Sequence, residues 1–265
     1  MKLIIIGPRG KMGRFITEIA AERPEIEIVG GIGPAGRDYI GKDLGEVTMI
    51  GRPLGVPVTD DLEAIIDKCD VIIDFSTVES GLQVLEAAKK HGKALVCGST
   101  GFSAEQREAF RAAAADIPVM LAANTSRLVN IMYKLLEITA KQTGDGMDVE
   151  ILDMHDNTKL DAPSGTAKEM AEVIAEARGI DLAENAVFGR EGRCPRETGT
   201  IGFHSLRGGD IPSSHTVYFV GTGERLEITH HSGSFKCFAA GAVDAAVFMA
   251  SQPKGFYEIR ETFGL

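Results

Sequence analysis

Lys2-Leu3-Ile4-Ile5-Ile6-Gly7-Pro8-Arg9-Gly10-Lys11-Met12-Gly13 runs an apolar strand straight into glycines spaced GxxGxxG, with a helical pattern over Lys11–Ala21 directly behind. A strand that is apolar at successive positions has both faces covered, as in the middle of a parallel sheet. Glycines at the strand–helix turn allow a tight bend, close approach of a pyrophosphate, and close packing of helix on strand. The helix N-terminus then presents N–H groups and the positive end of its dipole to the phosphates. The stretch therefore predicts a dinucleotide-binding unit, with Gly7, Pro8, Arg9, Gly10, Lys11 and Met12 forming the pyrophosphate loop.

The pattern continues outward from that unit. Further apolar blocks lie at Ile26–Ile32, Val71–Phe75, Ala94–Cys97 and Val119–Leu121, with helical patterns at Asp61–Asp67, Val78–Lys90 and Ala104–Ala115. Alternating strands and helices with short links predict a doubly wound α/β domain over 1–125. After Asn124 the rhythm changes. A long helix over Leu128–Lys141, a strand over Asp148–Met154 and a helix from about Pro163 to Ala177 lead into alternating stretches at Thr200–Leu206, His215–Val220 and Arg225–Thr229. Glycine-rich turns between these last three predict an antiparallel sheet. The fold expected is thus α/β: a Rossmann-like doubly wound parallel sheet followed by an α+β domain over 126–236. The apolar helix near Phe235–Ala250 lies mostly in the segment 237–265, which is expected to pack back on the first domain.

The second β-strand ends at Ile32 without the Asp or Glu that an NAD-selective site offers to the ribose hydroxyls. The chain reads Gly33-Pro34-Ala35-Gly36-Arg37 instead. Arg37, Arg9 or Lys11 can face a 2′-phosphate, so the reading leans to NADPH over NADH.

The chain has 265 residues, 44% of them hydrophobic, enough to bury a sizeable core, and a net charge of −10. That charge argues against nucleic-acid and anionic-membrane partners, which require a positive surface. No apolar run approaches the roughly 20 residues of a membrane helix. The opening Met1–Gly7 is too short an apolar run for a secretory signal. Cys69, Cys97, Cys194 and Cys237 lie far apart with no zinc-like spacing, and the histidines form no metal-ligand pattern. No metal is expected, the thiols read as reduced, and a cytoplasmic location follows.

The most informative stretch is Asp153–Ala167, DMHDNTKLDAPSGTA. A strand delivers His155, a loop delivers Lys159, and Pro163 suits the first turn of a helix. Ser164, Gly165 and Thr166 then occupy that first turn, where N–H groups and the helix dipole favour an anion. A substrate carboxylate fits there, with Lys159 adding positive charge. His155 and Lys159 are the candidate proton carriers.

With these residues in view, the sequence resembles the dihydrodipicolinate reductase family over essentially its whole length. The shared motifs are GPRGKMG at Gly7–Gly13, DFS at Asp74–Ser76, GSTGF at Gly98–Phe102 and AAN at Ala122–Asn124. They continue with KLDAPSGTA at Lys159–Ala167, GREG at Gly189–Gly192, TIGFHSLRGGDI at Thr200–Ile211, HTV at His215–Val217 and GERLEITH at Gly223–His230. The resemblance implies hydride transfer from NADH or NADPH to a cyclic unsaturated imine dicarboxylate, in the route to diaminopimelate and lysine, by a homotetramer built through the second domain. It implies dinucleotide contacts at Gly7–Met12, at Gly98, Ser99 and Thr100, and at Ala122, Ala123, Asn124 and Thr125. His155 is then the acid/base residue and Lys159 the proton donor, while Gly165 and Thr166 hold a substrate carboxylate.

The chain departs from the family pattern at Asp156, which stands where a second substrate-contacting histidine is usual and is itself a candidate substrate contact, at Thr125, usually aromatic, and at Arg127, usually small. Two other readings follow from these departures. One is a family member reducing a different cyclic imine or ketimine acid with the help of Arg127. The other is a dinucleotide-binding regulatory protein with little turnover, against which His155 and Lys159 both speak.

Overall fold

In the computed structural model, which covers residues 1–265, the apolar opening run is strand β1 (Lys2–Ile6) and the pattern behind it is helix α1 (Lys11–Ala20). β2 (Glu27–Ile32), a short α2 (Leu44–Thr48), β3 (Val58–Thr59), β4 (Val71–Asp74), α3 (Val78–His91), β5 (Ala94–Cys97), α4 (Ala104–Ala113) and β6 (Pro118–Leu121) follow. Next come α5 (Arg127–Thr143), β7 (Asp148–His155), α6 (Gly165–Arg178), α7 (Leu182–Asn185), β8 (Ala186–Phe188), β9 (Ile201–Arg207), β10 (Ser213–Gly221) and β11 (Glu224–Ser232). The chain closes with α8 (Lys236–Met249) and β12 (Gly255–Tyr257).

Two compact units result: Met1–Arg127 together with Phe235–Leu265, and Leu128–Ser234. The first holds a seven-stranded sheet in the order β12-β6-β5-β4-β1-β2-β3, parallel at every pairing. Apart from the added β12 this is the Rossmann order, and the strand order reverses between β1 and β4. Apolar runs form these strands because neither face meets water. Leu3, Ile4, Ile5, Ile72 and Ile73 are fully buried, each contributing roughly 1.5–3 kcal/mol relative to exposure. One face packs with α3 and α4 residues such as Leu85 and Phe110. The other packs with Ile16 of α1 and a small-residue stripe of α8, Ala239, Ala242, Ala245 and Ala246.

Sequence patterning goes wrong at Asp61–Asp67, which forms no α-helix. Only a 3-10 turn over Ile66–Lys68 appears there. Asp61 caps the Ala64 N–H, Ile66 is buried, and the chain must enter β4 at Val71, leaving no room for a second turn.

In the second unit the sheet order is β11-β10-β7-β9-β8. β10 pairs antiparallel with β11 and with β7, whereas β9 pairs parallel with β7 and β8. The sheet is mixed rather than antiparallel, and β9 and β10 are not neighbours, because β7 lies between them. The crossover through α6 and α7 returns the chain in the same direction as β7 at β8, and a second return through residues 189–200 lets β9 run that way too. One face of this sheet packs on α5 and α6 through Val149, Ile151, Phe203, Val217, Leu136 and Ile174. No helix of the protein is long and apolar enough to cross a membrane.

Candidate active site

Parallel strands place the C-terminal ends of β1, β4, β5 and β6 on one edge of the first sheet. The sequence-predicted cofactor residues Gly7–Met12, Gly98–Thr100 and Ala122–Thr125 follow three of these strands. Gly7 has φ +69°, a left-handed conformation that a side chain disfavours. A Cβ at Gly13 would lie 2.2 Å from the Gly7 carbonyl and 2.6 Å from Pro8 Cα, so only glycine lets α1 sit this close to the turn. Gly10 is the N-cap of α1, with no side-chain cap and no acid in the first turn. That helix end is therefore open to an external anion.

A cavity of about 490 Å³ is lined by Arg9, Lys11, Arg14, Thr48, Met49 and neighbouring residues. Arg14 Nε is buried there without a hydrogen-bond partner. An open helix N-terminus, three cationic side chains and an orphaned guanidinium N–H fit the phosphates of a dinucleotide. Arg37 is exposed in the loop after β2 and does not line this cavity.

The neighbouring loops are fixed to one another. Ser76 N–H donates to Ser99 Oγ at 2.9 Å, and Gly98 and Ala122 N–H groups bond the Asp74 and Cys97 carbonyls. Ser76 donates to the fully buried Asp74 at 2.5 Å. Burial pushes that carboxyl up, and the Ser76 and Cys97 hydrogen bonds partly offset it. Thr100 and Ala123 are exposed, Asn124 accepts from Ser126 N–H, and Thr125 is buried. Thr125 gives its hydroxyl to the Phe238 carbonyl at 2.6 Å. Arg127 pairs with Asp244 at 3.2 Å and lies over the Phe263 ring.

In the second unit the inward residues of β7 are Val149, Ile151, Asp153 and His155, so the buried face turns polar at the strand's end. Register sets the rest: Asp153 lies beside His215 of β10 and Ser205 of β9, His215 beside His230 of β11, and His155 beside Arg207. Asp153, His155, His215 and His230 are all buried. The His155 and His215 rings meet edge to face, 5.2 Å between centroids. His155 Nδ1 lies 3.3 Å from Asp153 Oδ1.

Ser164 is the N-cap of α6, accepting from Ala167 N–H, and its hydroxyl lies 2.9 Å from His215 Nε2. Pro163 therefore precedes the cap instead of occupying the first helical turn, because the Ser164 side chain takes the capping role; the Ala162–Pro163 peptide is cis. Gly165 and Thr166 are the first helical residues, whose N–H groups fall outside the helix's own ladder. A Cβ at Gly165 would meet nothing within 4 Å. Lys159 Nζ pairs with Asp161 at 2.5 Å. Asp156 turns its carboxylate onto its own loop, accepting from Thr158 N–H at 2.8 Å and from the Thr158 hydroxyl.

Burial, followed by the charge of nearby His155, pushes the His215 imidazole down to about 3, so it is neutral in the fold. An unfolded histidine titrates near 6.5, so on acidification the unfolded chain takes up this proton first. Stability from this group is present above about 6.5 and is lost as pH falls from there toward about 3. In urea melts, His215→Gln is expected to flatten the decline in midpoint across the upper part of that window. Parallel curves for variant and wild type would contradict the assignment.

Sequence reading brought out His155, Lys159, Gly165 and Thr166 but missed Asp153, His215, Ser205 and Arg207. The available signal was the Asp-x-His spacing, which places both side chains on one strand face.

A Rossmann unit with an open glycine loop, and a second unit joining a histidine to a helix N-terminus, define a nicotinamide-dinucleotide-dependent reductase of small acids. The family model described as dihydrodipicolinate reductase, N-terminus, matches residues 1–125, and that for the C-terminus matches 128–263. The chain belongs to the dihydrodipicolinate reductase family. It is 46% identical to the 4-hydroxy-tetrahydrodipicolinate reductase of Ralstonia nicotianae over the full length of both chains. With that of Alkalilimnicola ehrlichii it shares 44%, covering 100% of this chain and 99% of the other. Among solved structures it resembles a dipicolinate-bound dihydrodipicolinate reductase from Paenisporosarcina sp. TG-14. That match has a TM-score of 0.76 and 25% identity over 97% of each chain.

Proposed function

We propose that this chain reduces 4-hydroxy-tetrahydrodipicolinate to tetrahydrodipicolinate, in lysine and diaminopimelate biosynthesis, with NADPH preferred over NADH. The single observation that carries the reading is the start of α6, where Gly165 and Thr166 follow a Ser164 cap bonded to His215, in a chain of this family. Overall one hydride and one proton enter the substrate and one water leaves. The dinucleotide supplies the hydride when bound. The glycine loop and the N-terminus of α1 hold its pyrophosphate, and Arg9, Lys11 and Arg14 supply the charge that favours a 2′-phosphate.

The first turn of α6 fixes a substrate carboxylate, which sets the ring's orientation. Lys159 adds charge and gives its Nζ proton, while His155 takes or returns a proton at Nε2. The Lys159–Asp161 pair does not oppose this. With Asp161 about half exposed (53%), such a pair is worth only about 0–1 kcal/mol, so the ammonium can leave it for a carboxylate. Arg127 is engaged by Asp244 and Phe263, which speaks against a reading in which it binds a different acid.

A cytoplasmic homotetramer is part of the proposal. Its support is the second sheet's outward face, where Leu152, Met154, Tyr218 and Val220 are half-buried and which the core packed on α5 and α6 leaves out.

Dipicolinate is the probe for the carboxylate seat. Proline is tolerated at the first position of a helix but lacks the N–H, and the extended Ser164 (ψ 156°) suits a following proline. Gly165→Pro is expected to weaken dipicolinate binding by about tenfold, the loss of one hydrogen bond to a charged group, with the melting temperature unchanged or raised. Unchanged affinity in calorimetry would move the seat elsewhere.

A further inference from the structure

We propose that Asp153 is the positioning residue of this site: one buried carboxylate sets which nitrogen of His155 carries the proton and also anchors the start of α6. The proposal rests on the reading of His155 as the acid/base group and of Gly165–Thr166 as the carboxylate seat.

Four donors converge on Asp153. Oδ1 accepts from Arg207 Nη1 at 2.6 Å and faces His155 Nδ1 at 3.3 Å. Oδ2 accepts from Ser164 N–H at 3.0 Å and from the Ser205 hydroxyl at 2.9 Å. The side chain is 1% exposed. Burial alone would raise its pKa, but the hydrogen bonds from His155, Ser164, Arg207 and Ser205 outweigh burial and hold it well below the usual carboxylate range. An ionised carboxylate only accepts hydrogen bonds. The imidazole nitrogen facing it must therefore carry hydrogen, which leaves the lone pair of a neutral His155 on Nε2. The same carboxylate holds the N–H of Ser164, the residue that caps α6 and touches His215. His155 and the carboxylate seat are thus fixed by opposite oxygens of one side chain.

Alanine removes both oxygens, and with them the acceptor that faces His155 Nδ1. A neutral imidazole left without that acceptor favours its Nε2–H tautomer, which puts the proton on the wrong nitrogen for receiving one from substrate. A purely structural role for Asp153 predicts no such exchange.

Two-bond proton–nitrogen correlation spectra of the full-length protein in mildly alkaline buffer report the tautomer, with His155→Gln used to assign the signal. The expected result is the Nδ1–H form in wild type and the Nε2–H form in Asp153→Ala. With that exchange kcat should fall roughly 100-fold, the scale of losing an orienting partner of a functional histidine, while dinucleotide affinity is retained. A wild-type His155 in the Nε2–H form would overturn the proposal even if the variant did not fold. So would a folded Asp153→Ala that keeps the Nδ1–H form, whatever its rate. The spectra need no turnover, so failure of the proposed reaction and failure of this positioning role give different results.

Discussion

His155→Gln is expected to lower kcat for imine reduction by about 1,000-fold, within the range contributed by a positioned acid–base group, while leaving the dinucleotide dissociation constant within about twofold. Glutamine keeps an N–H that can reach Asp153 but has no group that exchanges a proton near neutral pH. The inward face of β7 stays filled, so the fold should persist and the loss should fall on the chemical step. The proposed dinucleotide residues belong to the other unit, which is why binding and turnover should separate. Steady-state rates beside a fluorescence titration of the dinucleotide make the comparison. A kcat within about threefold of wild type would remove His155 from the mechanism, since general acid–base catalysis is worth at least about 100-fold.

Lys159 is expected to act in two separable ways. Lys159→Ala should cost about 1,000-fold in kcat/KM, by losing a charge-assisted contact to a carboxylate together with a proton donor. Lys159→Arg should restore most of KM but little of kcat, because a guanidinium keeps the charge and does not release its proton in proteins. The pair of variants therefore distinguishes binding from proton delivery. Equal recovery of KM and kcat in the arginine variant would reduce Lys159 to an electrostatic anchor. Intact rates in Lys159→Ala would remove it from the site. The neighbouring Asp161, whose carboxyl Lys159 holds below its usual range, is a surface partner, so the alanine variant should lose little stability.

Much of the architecture is legible in the sequence because parallel strands buried on both faces leave an unbroken apolar signature. β1 and β5 fall on the apolar runs that define them. The same logic fails for short elements. α2 and β3 carry too few residues to show a period, and the stretch near Asp61 shows a helical period without the length to use it. The second sheet misleads for a different reason. Alternation in β9 and β10 reports that each strand has one wet face, but not which strand lies beside it. Long-range pairing decides that: β9 and β10 take opposite sides of β7.

At the site, local sequence carries His155, Lys159 and the Ser-Gly-Thr helix start because these lie within a dozen residues. Asp153 is only two residues from His155, yet its role depends on Ser205 and Arg207, about fifty residues away and brought alongside by the β7–β9 register. His215 reaches Ser164 in the same way from β10. The dinucleotide loop is legible as a motif. Its fit to a phosphate becomes visible only with the cavity and the unpartnered Arg14 Nε. Thr125 and Arg127, which stand out against the family pattern, are instead tied to α8 and to Phe263 in the closing segment.

The most direct test of the central claim is oxidation of NADPH and of NADH by the wild-type protein with freshly generated 4-hydroxy-tetrahydrodipicolinate. Rapid, substrate-dependent oxidation that favours NADPH is the predicted result, and it would show that Asp156 and Arg127 are compatible with the family reaction. No oxidation of either dinucleotide, with both still bound, would contradict the account and assign the second unit a different acid.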